Sequence, residues 1–310
     1  MAADTLAVLA YKPDIDKRLT EDISSIHNRY KDLRWTQDVC KRIASFIVSG
    51  KSVRGSLVVY TSLLFQKRVP AGAWDVACAM EFLHAGLLIH DDIMDRDTIR
   101  RGLPTMHSQY EQYAAVQKGR DVAHFGLSQG INIADFCYFR GYALLAKGGW
   151  EAVQFASDEL SKVVLAQMQD VGSGHLPDPY TKEGVLHLYR YKTARYTFSL
   201  PMRLGAMLAG CDIRTQESLD RLGECLGLLF QIRDDEFDSM GDPNVTGKST
   251  GIDAANNKQT LATLMTAGEL EKFRRQLRID ALSLIRSLPI SDTHTRELMA
   301  LLRFCEERNR

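Results

Sequence analysis

Two acidic segments, Asp91-Asp92-Ile93-Met94-Asp95 and Asp234-Asp235-Glu236-Phe237-Asp238, hold the residues whose types and spacing can do chemistry. Asp91 and Asp95 are four apart, as are Asp234 and Asp238, so on a helix each pair stands on one face while Asp92 turns away by about 100 degrees. Carboxylates stacked this way repel, weakening an isolated helix by about 0.2–0.5 kcal/mol. A divalent cation reverses that repulsion. Two such banks facing each other across a cavity would offer hard oxygen ligands and leave positions free for phosphate oxygens, the usual way Mg²⁺ holds its substrates. A lone run of this kind describes a solvated helix face equally well. Here each follows a strongly apolar stretch, AGLLIH or LGLLFQI, which puts the carboxylates at the end of a buried face. Basic residues suited to phosphate accompany both: Arg100-Arg101 after the first, Lys248 and Lys258 after the second.

The elements that must position these residues read as helices. Apolar residues recur at helical spacing, as in Val76, Met80, Leu83 and Leu87, or Leu222, Cys225, Leu226 and Leu229, and sustained alternation is hard to find. Breakers are sparse: Gly50, the Gly102-Leu103-Pro104 turn, Gly148-Gly149, the stretch from Gly172 to Pro179, Gly210 and Gly241-Asp242-Pro243. The helices between them, about 15 to 30 residues long, suit a packed bundle. The expected fold is all-α, a single domain over residues 1–310 built as a bundle of long helices around a central cavity.

Composition narrows the function. With 310 residues, 45% hydrophobic, 25% charged and no formal net charge, the chain is an ordinary globular protein without the basic field of a nucleic-acid binder. Six cysteines are scattered without CxxC or finger spacing. The amino terminus lacks a signal-peptide pattern, and no apolar stretch approaches the roughly 20 residues of a membrane span. A cytoplasmic protein without stable membrane insertion is expected.

The segment EFLHAGLLIHDDIMDRDTIRRGLPTMH, Glu81 to His107, resembles the first aspartate-rich region of the trans-isoprenyl diphosphate synthases, the farnesyl and geranylgeranyl diphosphate synthase family. FQIRDDEFDSMGDPNVTGKSTGIDAANNKQT, Phe230 to Thr260, resembles the second. SGKSVRG (Ser49 to Gly55), QMQD (Gln167 to Asp170) and YKTA (Tyr191 to Ala194) fall in the family's order. The resemblance implies a condensation in which an allylic diphosphate ionises and the double bond of isopentenyl diphosphate attacks the cation, the released diphosphate taking the final proton. It also implies magnesium, three ions to a site, and a homodimer. By the same analogy Asp91, Asp95 and Asp234 are direct metal ligands, with Asp92, Asp170, Asp235, Asp238 and Asp253 as outer or water-mediated partners. Arg100, Lys192, Gln231, Lys248 and Lys258 would bind the allylic diphosphate; Gly50, Lys51, Arg54, His84 and Arg101 would bind isopentenyl diphosphate. Lys192, Thr193 and Gln231 would also steady the carbocation.

Ser49 stands at the first glycine and Ser52 at a basic position of the family's GGKRxRP-like pattern, while Lys51 and Arg54 keep its other cations, and the CEERNR end is assigned no role. If the allylic tail runs down the first aspartate helix toward its amino end, Leu87 and Gly86, four and five residues before Asp91, form its first floor, and Gly86 offers no side chain there. Phe82, nine residues before Asp91 and about 13 Å along the axis, suits a tail of fifteen to twenty carbons. Geranylgeranyl diphosphate is the expected product, with farnesyl diphosphate or a slightly longer chain as the alternatives. A class I terpene cyclase and a non-catalytic regulatory subunit are the rival readings; the intact second motif, with Lys51 and Arg54, argues against the cyclase, and both complete acidic banks argue against the regulatory subunit.

Overall fold

The computed structural model describes residues 6–176, 181–240 and 260–307, and these are almost entirely helical, as the spacing of apolar residues requires. A 3-10 turn, Ala7–Tyr11, leads into α1 (Lys12–Arg29), α2 (Thr36–Val48), α3 (Val53–Phe65) and α4 (Ala73–Met94). A hairpin of β1 (Ile99–Arg100) and β2 (Leu103–Pro104) precedes α5 (Met106–Val116), α6 (Val122–Leu145) and α7 (Trp150–His175). After α8 (Lys182–Leu188) come a π-helix, Tyr189–Ser199, and α9 (Leu200–Leu208), then α10 (Ile213–Met240), α11 (Leu261–Leu264), α12 (Ala267–Ser287) and α13 (Asp292–Glu307). No described helix is long and apolar enough to cross a membrane.

Contacts group the residues into two compact units, one of Leu9–Ser56 with Ala71–Val153, the other of Met1–Val8, Leu57–Pro70 and Gln154–Arg310. In the first, α4 is the central helix and packs chiefly on α6, with α1, α2 and α5 also against it. Val76, Met80, Phe82, Leu83 and Ile89 are at most 1% exposed, and burying each stabilises the fold by about 1.5–3 kcal/mol before the entropy of ordering is counted. The helices come close at Gly86, where a Cβ would lie 2.7 Å from Tyr138 Cε1 and 3.0 Å from the Ala134 carbonyl oxygen.

In the second unit α10 is the centre, contacting the π-helix, α9, α12 and α13. Its Leu219, Leu222, Leu226 and Leu229 are buried. The same helix carries the second aspartate segment in its last turns.

Candidate active site

The first aspartate bank sits where α4 ends: Asp91 and Asp92 occupy the last turn, Asp95 is the C-cap, and no basic residue lies in that turn. A helix carboxyl end already bears partial negative charge, so carboxylates there need a cation. Asp92 points inward and is fully buried. Arg100 Nε donates to its Oδ1 at 2.5 Å, and Arg100 Nη2 lies 3.5 Å from Asp91 Oδ2. Burial pushes the Asp92 carboxyl up to about 6 against the pull of that guanidinium. Asp92 therefore holds Arg100, while Asp91 and Asp95 stay accessible at the helix end.

Those two carboxylates fit magnesium as this cation is usually held, by one or two protein carboxylates with the remaining positions left to water and substrate phosphate. Among the described residues no cluster of three or more acidic, His or Cys side chains would close around a metal without substrate. Two carboxylates at a helix end suit a cation shared with a phosphate ligand.

The hairpin explains how two adjacent arginines serve two places. Ile99 pairs with Pro104 and Arg100 with Leu103, leaving a two-residue loop in which Arg101 and Gly102 both have positive φ, 53° and 75°. This is the geometry of a type I′ turn, for which Gly102 is suited. Arg100 leaves the strand toward Asp92, and Arg101 turns to Ser49, donating from Nη1 to Ser49 Oγ at 3.1 Å. Gly102 and Pro104 mark a turn in the sequence, while two-residue strands carry no periodicity that would mark them.

Arg101 thereby closes one side of a cavity of about 380 Å³ whose lining includes Gly50, Lys51, Arg54 and His84. All the residues expected to bind isopentenyl diphosphate are brought together here, next to the start of α3, and a helix amino end favours anions. Arg54 Nη1 lies 3.1 Å from His84 Nε2. A guanidinium can only donate, so Nε2 accepts and the ring is neutral. Burial, then the charges of Arg54, Arg101 and Arg100, hold the His84 pKa well below its ordinary value. Ser52, where a basic residue was noted as missing, is buried with φ 49°, its Oγ 3.3 Å from Asp16 Oδ1.

Glu81 was not assigned a role from the sequence. It is buried in the lining of the cavity, and the Gly55 backbone N–H donates to its Oε1 at 2.8 Å. Burial raises its pKa, while that N–H and the Arg54 charge favour its ionised form. An acidic residue three before His84 in an otherwise apolar stretch was the available signal.

The second bank occupies the carboxyl end of α10. Gln231, one turn before Asp235, donates from Nε2 to its Oδ1 at 2.9 Å. Asp235 is buried, and Asp234 is half-buried beside it. Glu236 accepts from Arg233 at 3.0 Å and from Arg274 of α12 at 2.8 Å, which ties the motif to the body of its unit. The side chain of Asp238 and the whole of Lys248, Asp253 and Lys258 lie outside the described residues, as does the segment 241–251.

Lys192 and Thr193 lie on the π-helix, an irregularity that recurs at functional sites and that apolar spacing does not reveal. Lys192 Nζ donates to Asp170 Oδ2 of α7 at 2.6 Å. Asp170, expected as an outer metal partner, is here the counterion of this lysine.

Beside Gly86, Tyr138 of α6 stands where a side chain would go, so the missing Cβ serves the close contact of α4 with α6. Phe82 is fully buried; nine residues from Asp91 are two and a half helical turns, which sets it on the opposite side of α4. Leu87, four residues from Asp91, keeps to that carboxylate's side and is half-buried.

Comparison with known proteins bears on this arrangement. The model of the polyprenyl synthetase family matches residues 35–283. A short chain isoprenyl diphosphate synthase of Methanothermobacter thermautotrophicus is 29% identical over 284 residues, covering 89% of this chain and 78% of its own. A farnesyl diphosphate synthase of Geobacillus stearothermophilus is 32% identical over 237 residues, 74% of this chain and 75% of its own. The structure of a geranylgeranyl pyrophosphate synthase from Corynebacterium glutamicum, complexed with isoprenyl diphosphate and magnesium, matches with a TM-score of 0.85 at 25% identity, covering 98% of this chain and 100% of that one.

Proposed function

The chain belongs to the polyprenyl synthetase family, and from that premise we propose that it condenses isopentenyl diphosphate head-to-tail with an allylic diphosphate, giving geranylgeranyl diphosphate as its main product. The observation that carries this reading is the cavity where Gly50, Lys51, Arg54 and Arg101 meet around a neutral His84. Three cationic side chains beside a helix amino end suit one diphosphate, with Arg able to clamp its oxygens bidentately and Lys acting as a point charge. Glu81, in the lining of the same cavity, adds a carboxylate that tempers the mutual repulsion of the cations.

For the allylic diphosphate, the family resemblance points to Arg100 and Lys192 among the described residues. Arg100 would exchange its bond to Asp92, and Lys192 its bond to Asp170, for phosphate oxygens. Bound magnesium, held by Asp91, Asp95 and Asp234, would supply neutralisation of the charge growing on the leaving diphosphate. Cationic side chains aimed at the same oxygens act in the same direction. Thr193 and Gln231 would present oxygens to the allylic cation, and the departing diphosphate would take the proton lost when the new double bond forms. We read residues 1–310 as one working catalytic domain, and the apolar Leu127, Ile131 and Phe139, exposed on α6, support a homodimer.

The test is to incubate the purified protein with Mg²⁺, isopentenyl diphosphate and each allylic primer in turn, and to size the products. Consumption of isopentenyl diphosphate with a twenty-carbon product is expected. Turnover of the allylic diphosphate alone would mean a cyclase, and no turnover of either would leave a binding subunit.

A further inference from the structure

The face of α10 that bears Gln231 carries glycine at both preceding turns, Gly223 and Gly227, each four residues from the next. A Cβ on Gly227 would lie 2.3 Å from Ala194 Cα, and one on Gly223 would lie 2.5 Å from both the Cα and the backbone nitrogen of Ser199. Both neighbours are backbone atoms of the π-helix, so no rotamer change could relieve the overlap. The two glycines form a notch into which the π-helix is set.

A second set of contacts fixes the same element. Arg195 on the π-helix donates from Nε to Glu159 Oε2 of α7 at 2.7 Å, from Nη1 to Glu224 Oε2 at 3.2 Å and from Nη2 to Asp220 Oδ2 at 3.1 Å. Arg190 reaches Glu224 at 2.7 Å, and Ser199 Oγ donates to the Asp220 carbonyl at 2.7 Å. Ala194 and Ser199 are fully buried. The face toward α10 is therefore pinned, while Lys192 projects toward Asp170 on α7. A helix wound with i→i+5 bonds shifts every following residue relative to an α-helix, so where Lys192 and Thr193 stand depends on how this turn is held.

We propose that Gly227, with Arg195 as its clamp, is a positioning residue for the condensation: the notch sets the depth and register of the π-helix and so aims Lys192 and Thr193 at the allylic substrate. This rests on the prenyl-transfer reading above. Neither residue needs to touch substrate. The ligand concerned is the allylic diphosphate, since neither Lys192 nor Thr193 lines the cavity of Lys51, Arg54 and His84.

The test compares Gly227→Ala, Arg195→Lys and a control, Gly268→Ala, where an added Cβ meets nothing within 4 Å. Each is measured for kcat, for both KM values, and for binding of an unreactive allylic thiolodiphosphate by calorimetry. Gly227→Ala is expected to lower kcat at least tenfold and weaken the thiolodiphosphate severalfold, with the KM for isopentenyl diphosphate within about twofold of the parent. Arg195→Lys keeps the charge but loses the three-way fork. It should show the same split in milder form, and it decides the matter if Gly227→Ala does not fold. The control should match the parent. Equal loss against both substrates, or folded variants with parental kcat and thiolodiphosphate binding, would overturn the proposal. A parent protein that does not consume isopentenyl diphosphate would instead overturn the functional reading on which it stands.

Discussion

Arg100 Nε donates to the fully buried Asp92 at 2.5 Å, while the same guanidinium stands 3.5 Å from Asp91. One arginine is thus divided between a carboxylate that cannot reach solvent and one that can. In Asp92→Asn the charge holding Arg100 inward is gone, and the side chain should shift onto Asp91, where it competes with the cation. A partly exposed ion pair is worth about 1 kcal/mol, so the magnesium concentration giving half-maximal activity should rise about fivefold. A magnesium titration of parent and variant checks this; coincident curves would mean that Asp92 does not partition Arg100.

Lys192 makes the corresponding contact with Asp170 at 2.6 Å. The pair is partly exposed, so breaking it should cost less than about 1 kcal/mol of stability. The effect on catalysis is of another order, because a cation aimed at a leaving diphosphate acts where charge develops. Lys192→Met should lower kcat about 100-fold, and Asp170→Asn far less, with melting temperatures close to the parent. Equal kinetic damage from both would make the ion pair, and not the lysine, the important unit.

The sequence made some of this legible and concealed the rest for identifiable reasons. The carboxylates of Asp91 and Asp95, and the cluster Gly50, Lys51, Arg54, His84 and Arg101, announce themselves by residue type and motif order. Which carboxylate is buried depends on packing around α4, and nothing in DDIMD separates Asp91 from Asp92 except a 100-degree turn. The π-helix at Tyr189–Ser199 is invisible because its backbone register, and not its composition, is unusual. Gly223 and Gly227 read as ordinary helix glycines until the backbone of Ala194 and Ser199 is seen against them. Gly86 shows the limit most clearly: one helix cannot say what fills the space beside it.

That space holds Tyr138, whose hydroxyl is also 3.2 Å from His90 Nδ1. A product tail entering between α4 and α6 would meet this ring before any side chain of α4 at position 86. Tyr138→Ala should therefore lengthen the product by at least one isoprene unit. In Gly86→Phe the new side chain meets both the ring, which can swing, and the Ala134 carbonyl, which cannot. It should shorten the product while costing about 1–3 kcal/mol through overpacking. Product sizing and thermal melts read both effects, and an unchanged chain length in Tyr138→Ala would remove the tyrosine from this role.

His84 gives a pH signature of its own. Burial and the neighbouring arginines depress its folded-state pKa well below 6.5, so between the two values the unfolded chain binds a proton that the folded protein does not. Stability then falls as pH drops below about 6.5, the direction set by the proton balance. Glu81, whose pKa is raised by burial, works in the opposite sense at lower pH, and other buried histidines add to the acid loss. The His84 share is isolated by difference. His84→Gln keeps an acceptor for Arg54 but cannot titrate, so its stability should decline less steeply than the parent's from pH 7 to pH 5 in urea melts. Parallel profiles would mean that His84 is protonated in the folded protein and that Arg54 does not donate to it.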